Sequence, residues 1–365
     1  MFYCYLKFHY FWEYKDALLS NSIPQNHIIY YFMKVLVVNK GQIILAFFVI
    51  ILMLAILIQP QIYMQATLSG ILVWFNNVLP ALFPFFFLTK ILTQMQVLDK
   101  MATYLQGFMQ KVYHCSGISA FIYLMSIVSG YPVGAKLSSE LYQNGTVTKE
   151  ELVRINSFTS TSGPLFVIGS VGVSMFLSNT AGIIMLSAHL LGALCNGLIY
   201  RNYGYSKNQN LNSARVKMQS IDNILSDTIY NSIISILMVG GYIALCSIVI
   251  EVFINFGIFK FLTIPFAKVF GLIGLNPDLI SGLLSGFIEI TRGCLDLSAC
   301  VGTDLKLCTI LACGIISFGG ISINLQAITF LSKCNINIPF YFLQKFTQSI
   351  ISIILCAILV WFIPL

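Results

Sequence analysis

Glu289 and Arg292 stand inside an otherwise apolar stretch of this 365-residue chain. Charge at membrane depth is costly and ordinarily faces a cavity or a partner. A guanidinium matches a carboxylate bidentately, so Arg292 is a candidate for holding an acidic solute. Glu289 is a candidate for binding a coupling cation or a proton. The two are also three residues apart, the spacing at which they would pair on one helical face and simply lock the segment. Asp296, one turn further on, can join either network. Lys136 is either a second cation for an anionic solute or a lysine whose stem snorkels to the cytoplasmic interface. His189 lies within an apolar span; a proton relay is one reading, a packed, hydrogen-bonded histidine the better supported one. Ser160, Thr161, Ser162, Ser317, Ser322 and Asn324 are candidate hydroxyl and amide ligands, although each alone is more often a helix–helix hydrogen bond.

These residues gather at interruptions of apolar runs. The stretch Ser129-Gly130-Tyr131-Pro132-Val133-Gly134-Ala135-Lys136 follows the run Ile118–Val128, which is too short to cross a bilayer. Its glycines and its proline predict that helix does not continue through it. A second such break is expected at Glu289-Ile290-Thr291-Arg292-Gly293. Two more are expected at Ser160-Thr161-Ser162-Gly163-Pro164 and at Ser317-Phe318-Gly319-Gly320. In lipid, broken backbone is tolerated only where protein buries it or where it lines a watery cavity. Discontinuous transporter segments bind solutes with such helix ends and free amides, so these breaks are expected to line a solute site.

The elements that would carry them follow from composition. Hydrophobic residues make up 58% of the chain and charged residues 9%, with a mean hydropathy of +0.85. A soluble domain carries roughly a quarter charged residues. The expected class is therefore an all-α polytopic membrane protein. A membrane barrel has no support, because no series of alternating ten-residue strands is present. Residues 1–40 read as an N-terminal extension rich in aromatics: a dispensable segment or a start-site artefact on one reading, a true interfacial segment on the other. A first span is expected within 41–60, where Gly41–Ile58 is uncharged. A long stretch, Ala66–Leu88, contains Pro80 and Pro84 and should kink.

The pattern then repeats. Residues 61–200 form one repeat, 201–227 a polar loop, and 228–365 a second repeat. Gly134 in one break matches Gly293 in another, 159 residues later, and Gly163 matches Gly320, 157 residues later. Interrupted segments in corresponding positions of two halves are the sequence pointer to a transporter site. With a cytoplasmic N-terminus and hairpins that re-enter, the halves are inverted, and about fifteen of the twenty lysines and arginines fall on cytoplasmic segments. Full spanning by the hairpins would change those loop assignments.

Other chemistries find little support. The net charge of +7 reflects basic cytoplasmic loops more simply than nucleic acid, and no nucleic-acid partner is expected. The ten cysteines include no C-x-x-C, so no metal is expected; small membrane-helix residues account for them better. Nucleophile elbow, Walker loop and zinc spacing are missing, which leaves an enzyme or ATP-driven pump without positive evidence. No cofactor is expected, and a coupling ion would be a proton or sodium. The expected partners are a small anionic solute and the lipid bilayer, with a homo-oligomer as an option.

Several stretches together resemble a known family. They are Trp74-Phe75-Asn76-Asn77-Val78-Leu79-Pro80-Ala81-Leu82-Phe83-Pro84-Phe85, the Ser129–Lys136 stretch, Ser162-Gly163-Pro164-Leu165-Phe166-Val167-Ile168-Gly169, and Glu289-Ile290-Thr291 followed by Gly293. In these the chain resembles the sporulation integral membrane protein YlbJ family, from about Met33 to the C-terminus. The resemblance implies two nucleoside-recognition gate domains and a fold similar to concentrative nucleoside transporters. It also implies a role in endospore formation, moving dipicolinic acid out of the mother cell across the outer forespore membrane. Dipicolinate is a flat aromatic dianion, which Arg292 and Lys136 would attract while Tyr131 and Phe166 supply an aromatic wall. The resemblance carries the Glu and Gly positions of the motif and does not extend to a role for Arg292; the N-terminal extension lies outside the pattern. A carrier of nucleosides or another small solute, and a non-transporting membrane organiser, are the alternatives.

Overall fold

The computed structural model describes residues 40–80, 83–84, 87–88, 91, 97–206, 221–272, 276–300 and 302–365. The expected N-terminal extension up to residue 39, part of the proline-kinked stretch and residues 207–220 of the polar loop lie outside the described residues. Regular structure among the described residues is helical throughout, as a lipid environment demands of a chain that cannot close into a barrel. Four helices are long and apolar enough to cross a membrane, or six if each of two bent pairs counts as one span. The protein is a multi-pass integral membrane protein.

The chain divides into residues 1–60 and 61–365. The first unit holds α1 (Lys40–Ile58), an uncharged apolar helix beyond its first residue. The second unit begins at the second residue of α2 (Pro60–Val73), which runs on through a π-helical turn, Trp74–Val78. Next come α3 (Val97–Tyr113), α4 (Ile118–Ser129), α5 (Val133–Gln143) and α6 (Lys149–Asn156). A segment wound as a π-helix, α7 (Leu165–Met175), and α8 (Asn179–Tyr200) complete the first half. The second half has α9 (Ile221–Asn255), α10 (Ile258–Leu272), α11 (Asp278–Ile288) and α12 (Ile290–Ser298). It ends with α13 (Leu305–Phe318), α14 (Gly320–Leu331) and α15 (Ile338–Phe362).

Element order thus recurs. The hairpin α4–α5 answers to α11–α12, the broken pair α6–α7 to α13–α14, and the long helix α8 to α15. Packing respects the correspondence: α5 lies on α14 of the other half, α12 lies on α7, and α8 packs along α15. Two halves related by a twofold axis exchange partners in this way.

Local chemistry sets the helix starts. Thr148 caps α6 by accepting from Glu151 N at 3.2 Å. Glu151 does not complete a capping box. Its carboxylate instead accepts from Ser116 N at 2.7 Å and Ser116 Oγ at 2.6 Å, joining α6 to the start of α4. Ser178 caps α8, and Asn337 caps α15 with Pro339 in the first turn. Each cap satisfies an amide that lipid could not.

The long helices are inside-out by soluble standards. On α15, Gln344, Lys345, Gln348, Ser349 and Ser352 are buried, while Leu343, Phe346, Ile350, Ile354 and Ile358 are exposed. On α8, Ala188, His189, Gly192, Ala193 and Asn196 face inward and Leu191, Leu198 and Ile199 outward. Lipid rewards apolar side chains outside, and small or polar residues inside let helices approach and hydrogen-bond.

Candidate functional site

All four expected breaks are real interruptions. In the first, α4 ends at Ser129, Gly130 has φ +70°, and a cis Tyr131–Pro132 peptide leads into α5. The second is the non-helical run from Ser160 to Gly163, ahead of α7. The third narrows to one residue: Glu289, extended at φ −141° and ψ 121°, separates α11 from α12. The fourth is Gly319, whose φ of +86° only glycine adopts cheaply, between α13 and α14.

Parts of three breaks meet around one narrow cavity of about 50 Å³. Gly130 and Tyr131 reach it from the first, Ser162, Gly163 and Phe166 from the second, and Glu289, Ile290 and Thr291 from the third. Ser322, Ile323 and Gln326 come from α14, just beyond the fourth break, and Val78, Val239 and Ile243 complete an apolar wall. A larger cavity of about 270 Å³ is also lined by Glu289 and Thr291. Arg292 and Glu251 line it together with Ser69, Ser170, Ser174 and Ser247.

Glu289 lines both cavities. Its Oε1 accepts from Thr291 N at 3.0 Å and from Thr291 Oγ at 3.0 Å; its Oε2 accepts from Arg292 N at 2.8 Å. The carboxylate thus caps the N-terminus of α12, where the helix dipole favours negative charge. A carboxylate has about four acceptor sites, so one on Oε2 stays open. The alternative side-chain pairing of Glu289 with Arg292 is not formed. The i,i+3 rule assumes both residues are helical, and Glu289 is extended. Arg292 instead donates from Nε to Asp296 Oδ1 at 2.9 Å, with its side chain 46% exposed. Arg292 also lines the larger cavity.

The remaining sequence-predicted residues lie outside both cavities. Lys136 donates to Ser235 Oγ on α9 at 3.0 Å and lies 6.0 Å over the Phe330 ring. Pro132 is buried at the N-terminus of α5. Gly134 and Gly293 allow close approach: an added Cβ would stand 1.9 Å from Thr159 O and 2.1 Å from Gly286 Cα, respectively. Gly319 and Gly320 form the fourth break itself, and buried Asn324 donates to Phe318 O at 3.0 Å and Gly320 O at 2.6 Å, holding that break. Its partner-free Oδ1 and the partner-free Ser322 Oγ are buried nearby. Gln326 and Glu251 were not singled out from the sequence. Each is a polar side chain set in an apolar stretch of helix, and Gln326 follows Ser322 by four residues, so the signal was present.

His189 is fully buried and ties two breaks together. Its Nε2 accepts from Ser162 N at 2.8 Å and its Nδ1 meets Ser317 Oγ at 2.8 Å. Lys345, equally buried on α15, donates to Ser160 O at 3.3 Å and to Gln348 Oε1. Tyr131 donates to Ile316 O at 3.2 Å, joining the first break to the end of α13.

Known proteins place this arrangement. Residues 75–180 match the family model described as Gate: Nucleoside recognition. The matched region carries the first two breaks. The chain is 30% identical over 338 residues to the sporulation integral membrane protein YlbJ of Bacillus subtilis (strain 168), covering 87% of this chain and 82% of that protein. No solved structure matches. The chain belongs to the YlbJ family of sporulation integral membrane proteins.

Proposed function

We propose that this protein is a solute carrier of spore formation, moving dipicolinate across the outer forespore membrane by alternating access. Its two halves would be inverted, with the N-terminus in the cytoplasm. The observation that carries the reading is the cavity where backbone breaks from both halves converge on Glu289. Interrupted helices at the interface of two repeats are how secondary carriers build a midplane site. Tyr131 and Phe166 on its wall suit a flat aromatic ring, and the guanidinium of Arg292 suits a carboxylate entering from the larger cavity. The sporulation relative supports the cellular setting. No enzymatic step is part of this reading.

An uncharged solute such as a nucleoside is the second reading. It is favoured by the lining of the narrow cavity, which contains Glu289, Gln326 and Ser322 but no cation, and by the nucleoside-recognition description of the matching family model. Uptake of labelled dipicolinate into vesicles holding the purified protein tests the first reading, with Arg292→Ala and Glu289→Gln beside wild type. Saturable uptake that Arg292→Ala abolishes in a folded protein supports it. Uptake of uridine in place of dipicolinate, unaffected by Arg292→Ala, moves the assignment to the nucleoside. Absence of either uptake leaves a membrane organiser of spore assembly.

A further inference from the structure

His189 and Lys345 are 156 residues apart, within three residues of the offsets that relate the breaks of the two halves. They occupy corresponding places on α8 and α15, and both are fully buried. Both hold the same segment, the Ser160–Pro164 break, which carries Ser162 and Gly163 to the narrow cavity.

The geometry fixes the state of the imidazole. Ser162 N–H can only donate, so Nε2 must be the unprotonated nitrogen. The ring is therefore neutral with its proton on Nδ1, donated to Ser317 Oγ. A proton added at Nε2 makes an imidazolium with donors on both nitrogens. Ser162 N–H then faces another donor, and the hydrogen bond that holds the break is lost. A neutral imidazole clasps the break and an imidazolium releases it.

The groups around the ring leave it this role. From α15 it meets Lys345, close enough to act on it electrostatically, and Tyr341 and Cys356 lie further along that helix. From α13 comes Cys313, whose Sγ points to Met185 O and Ser352 O. From the first break comes Tyr131, with ring centroids 6.3 Å apart and its hydroxyl on Ile316 O. The α7 helix brings no titratable residue. Tyr123 of α4 donates to Leu190 O at 3.1 Å, and Tyr113 of α3 meets α8 further along, at Leu194 and Gly197. No carboxylate is bonded to His189 or Lys345. Glu289 lies across the cavity and is held by α12.

We propose that His189 Nε2 binds the proton that drives this carrier, and that its protonation unclasps the Ser160–Pro164 break from the cavity wall. The proposal rests on the transport reading above for its purpose, but not for its test. The full chain in phosphatidylcholine vesicles, with Ser162→Cys introduced, is labelled with a methanethiosulfonate reagent. The rate is taken over the unsubstituted chain and normalised to Asn144→Cys, an exposed turn position, which removes the thiol's own titration. Between about pH 7 and about pH 3.5, a window carried below the ordinary histidine range because the ring is buried, has no carboxylate beside it and faces the Lys345 amine, the normalised rate is expected to rise about fivefold, as for loss of one hydrogen-bonded tether. In the His189→Gln background the side-chain carbonyl can still accept from Ser162 N–H but takes no proton, so the rate is expected to stay flat. A rate in the parent that does not change with pH overturns the proposal, as does a change that survives His189→Gln. Dipicolinate and uridine uptake in the same vesicles separate the two ideas. A His189-dependent release without uptake of either upholds the proton site and removes the transport reading, whereas uptake with a pH-independent Ser162→Cys rate removes the proton site alone.

Discussion

Gly293→Ala tests how tightly the Glu289 hairpin is closed. An added Cβ at this position would lie 2.1 Å from Gly286 Cα, 2.4 Å from Gly286 N and 3.0 Å from Gly282 O. Carbon atoms rest about 3.5–4.0 Å apart, so α11 and α12 must separate by about 1.5 Å. All three obstacles are backbone, so no side chain can swing away to make room. The short helix α12 must therefore move as a unit, and Leu297, which packs against Gly282, moves with it. Overpacking of this kind costs about 3 kcal/mol or somewhat more. At roughly 2–4 °C for each kcal/mol, the melting temperature of the purified protein should fall by roughly 6–12 °C. Gly241→Ala is the control, since a Cβ there meets nothing within 4 Å on α9. That change should be neutral or stabilising by up to about 1 kcal/mol, because alanine favours helix over glycine. Both would be measured side by side by thermal unfolding in one detergent. A melting temperature for Gly293→Ala equal to that of Gly241→Ala would refute the close approach of α11 and α12, and with it the placement of Glu289.

Other perturbations read other parts of the site. Asn324→Ala removes two hydrogen bonds to the carbonyls of Phe318 and Gly320 and should destabilise the protein by about 2 kcal/mol, seen as a lower melting temperature. Ser178→Ala removes the cap of α8 and should cost about 1 kcal/mol in the same assay. Lys345→Met removes the donor to Ser160 O and Gln348 Oε1; with Ser160 O still held by Gln348 Nε2, the loss should be about 1–2 kcal/mol, seen as a lower melting temperature. Saturating dipicolinate, at about a hundred times its dissociation constant, should stabilise the wild type by about 2.7 kcal/mol, and Arg292→Ala should lose most of that shift.

Positions of the breaks were legible because glycine, proline and charge inside an apolar run can mean little else. Membership of the cavity was not, because it depends on how two halves cross. Lys136 belongs to the first break by sequence, yet its helix turns it onto Ser235 of α9, a residue 99 positions away that no local rule connects to it. Arg292 was read against Glu289 by helical spacing. A single extended residue undoes that spacing and hands the guanidinium to Asp296, where the i,i+4 rule does hold. Gly134 and Gly293, paired by their offset in the sequence, serve close packing and do not line either cavity. Glycine in a motif signals that something comes near; the sequence does not say whether that is solute or backbone.

Each break also has to solve the same physical problem, and the solutions differ in a way that bears on motion. A buried amide or carbonyl without a partner in low dielectric costs about 1–3 kcal/mol, so a break persists only with an anchor. The third break is anchored by its own residue, Glu289, and the fourth by Asn324 from the helix that follows it. These are local anchors that travel with the segment. The second break has remote anchors, His189 on α8 and Lys345 and Gln348 on α15. A remote anchor must be given up or exchanged when its segment moves against the helix that bears it. The long helices α8 and α15 pack on each other along faces of small and polar residues, which makes them the frame and the Ser160–Pro164 break the part whose contacts can switch. Protonation of an anchor changes its hydrogen-bonding role without a change in covalent structure, and among the remote anchors of this break the only side chain that accepts from the backbone and can also take a proton is His189.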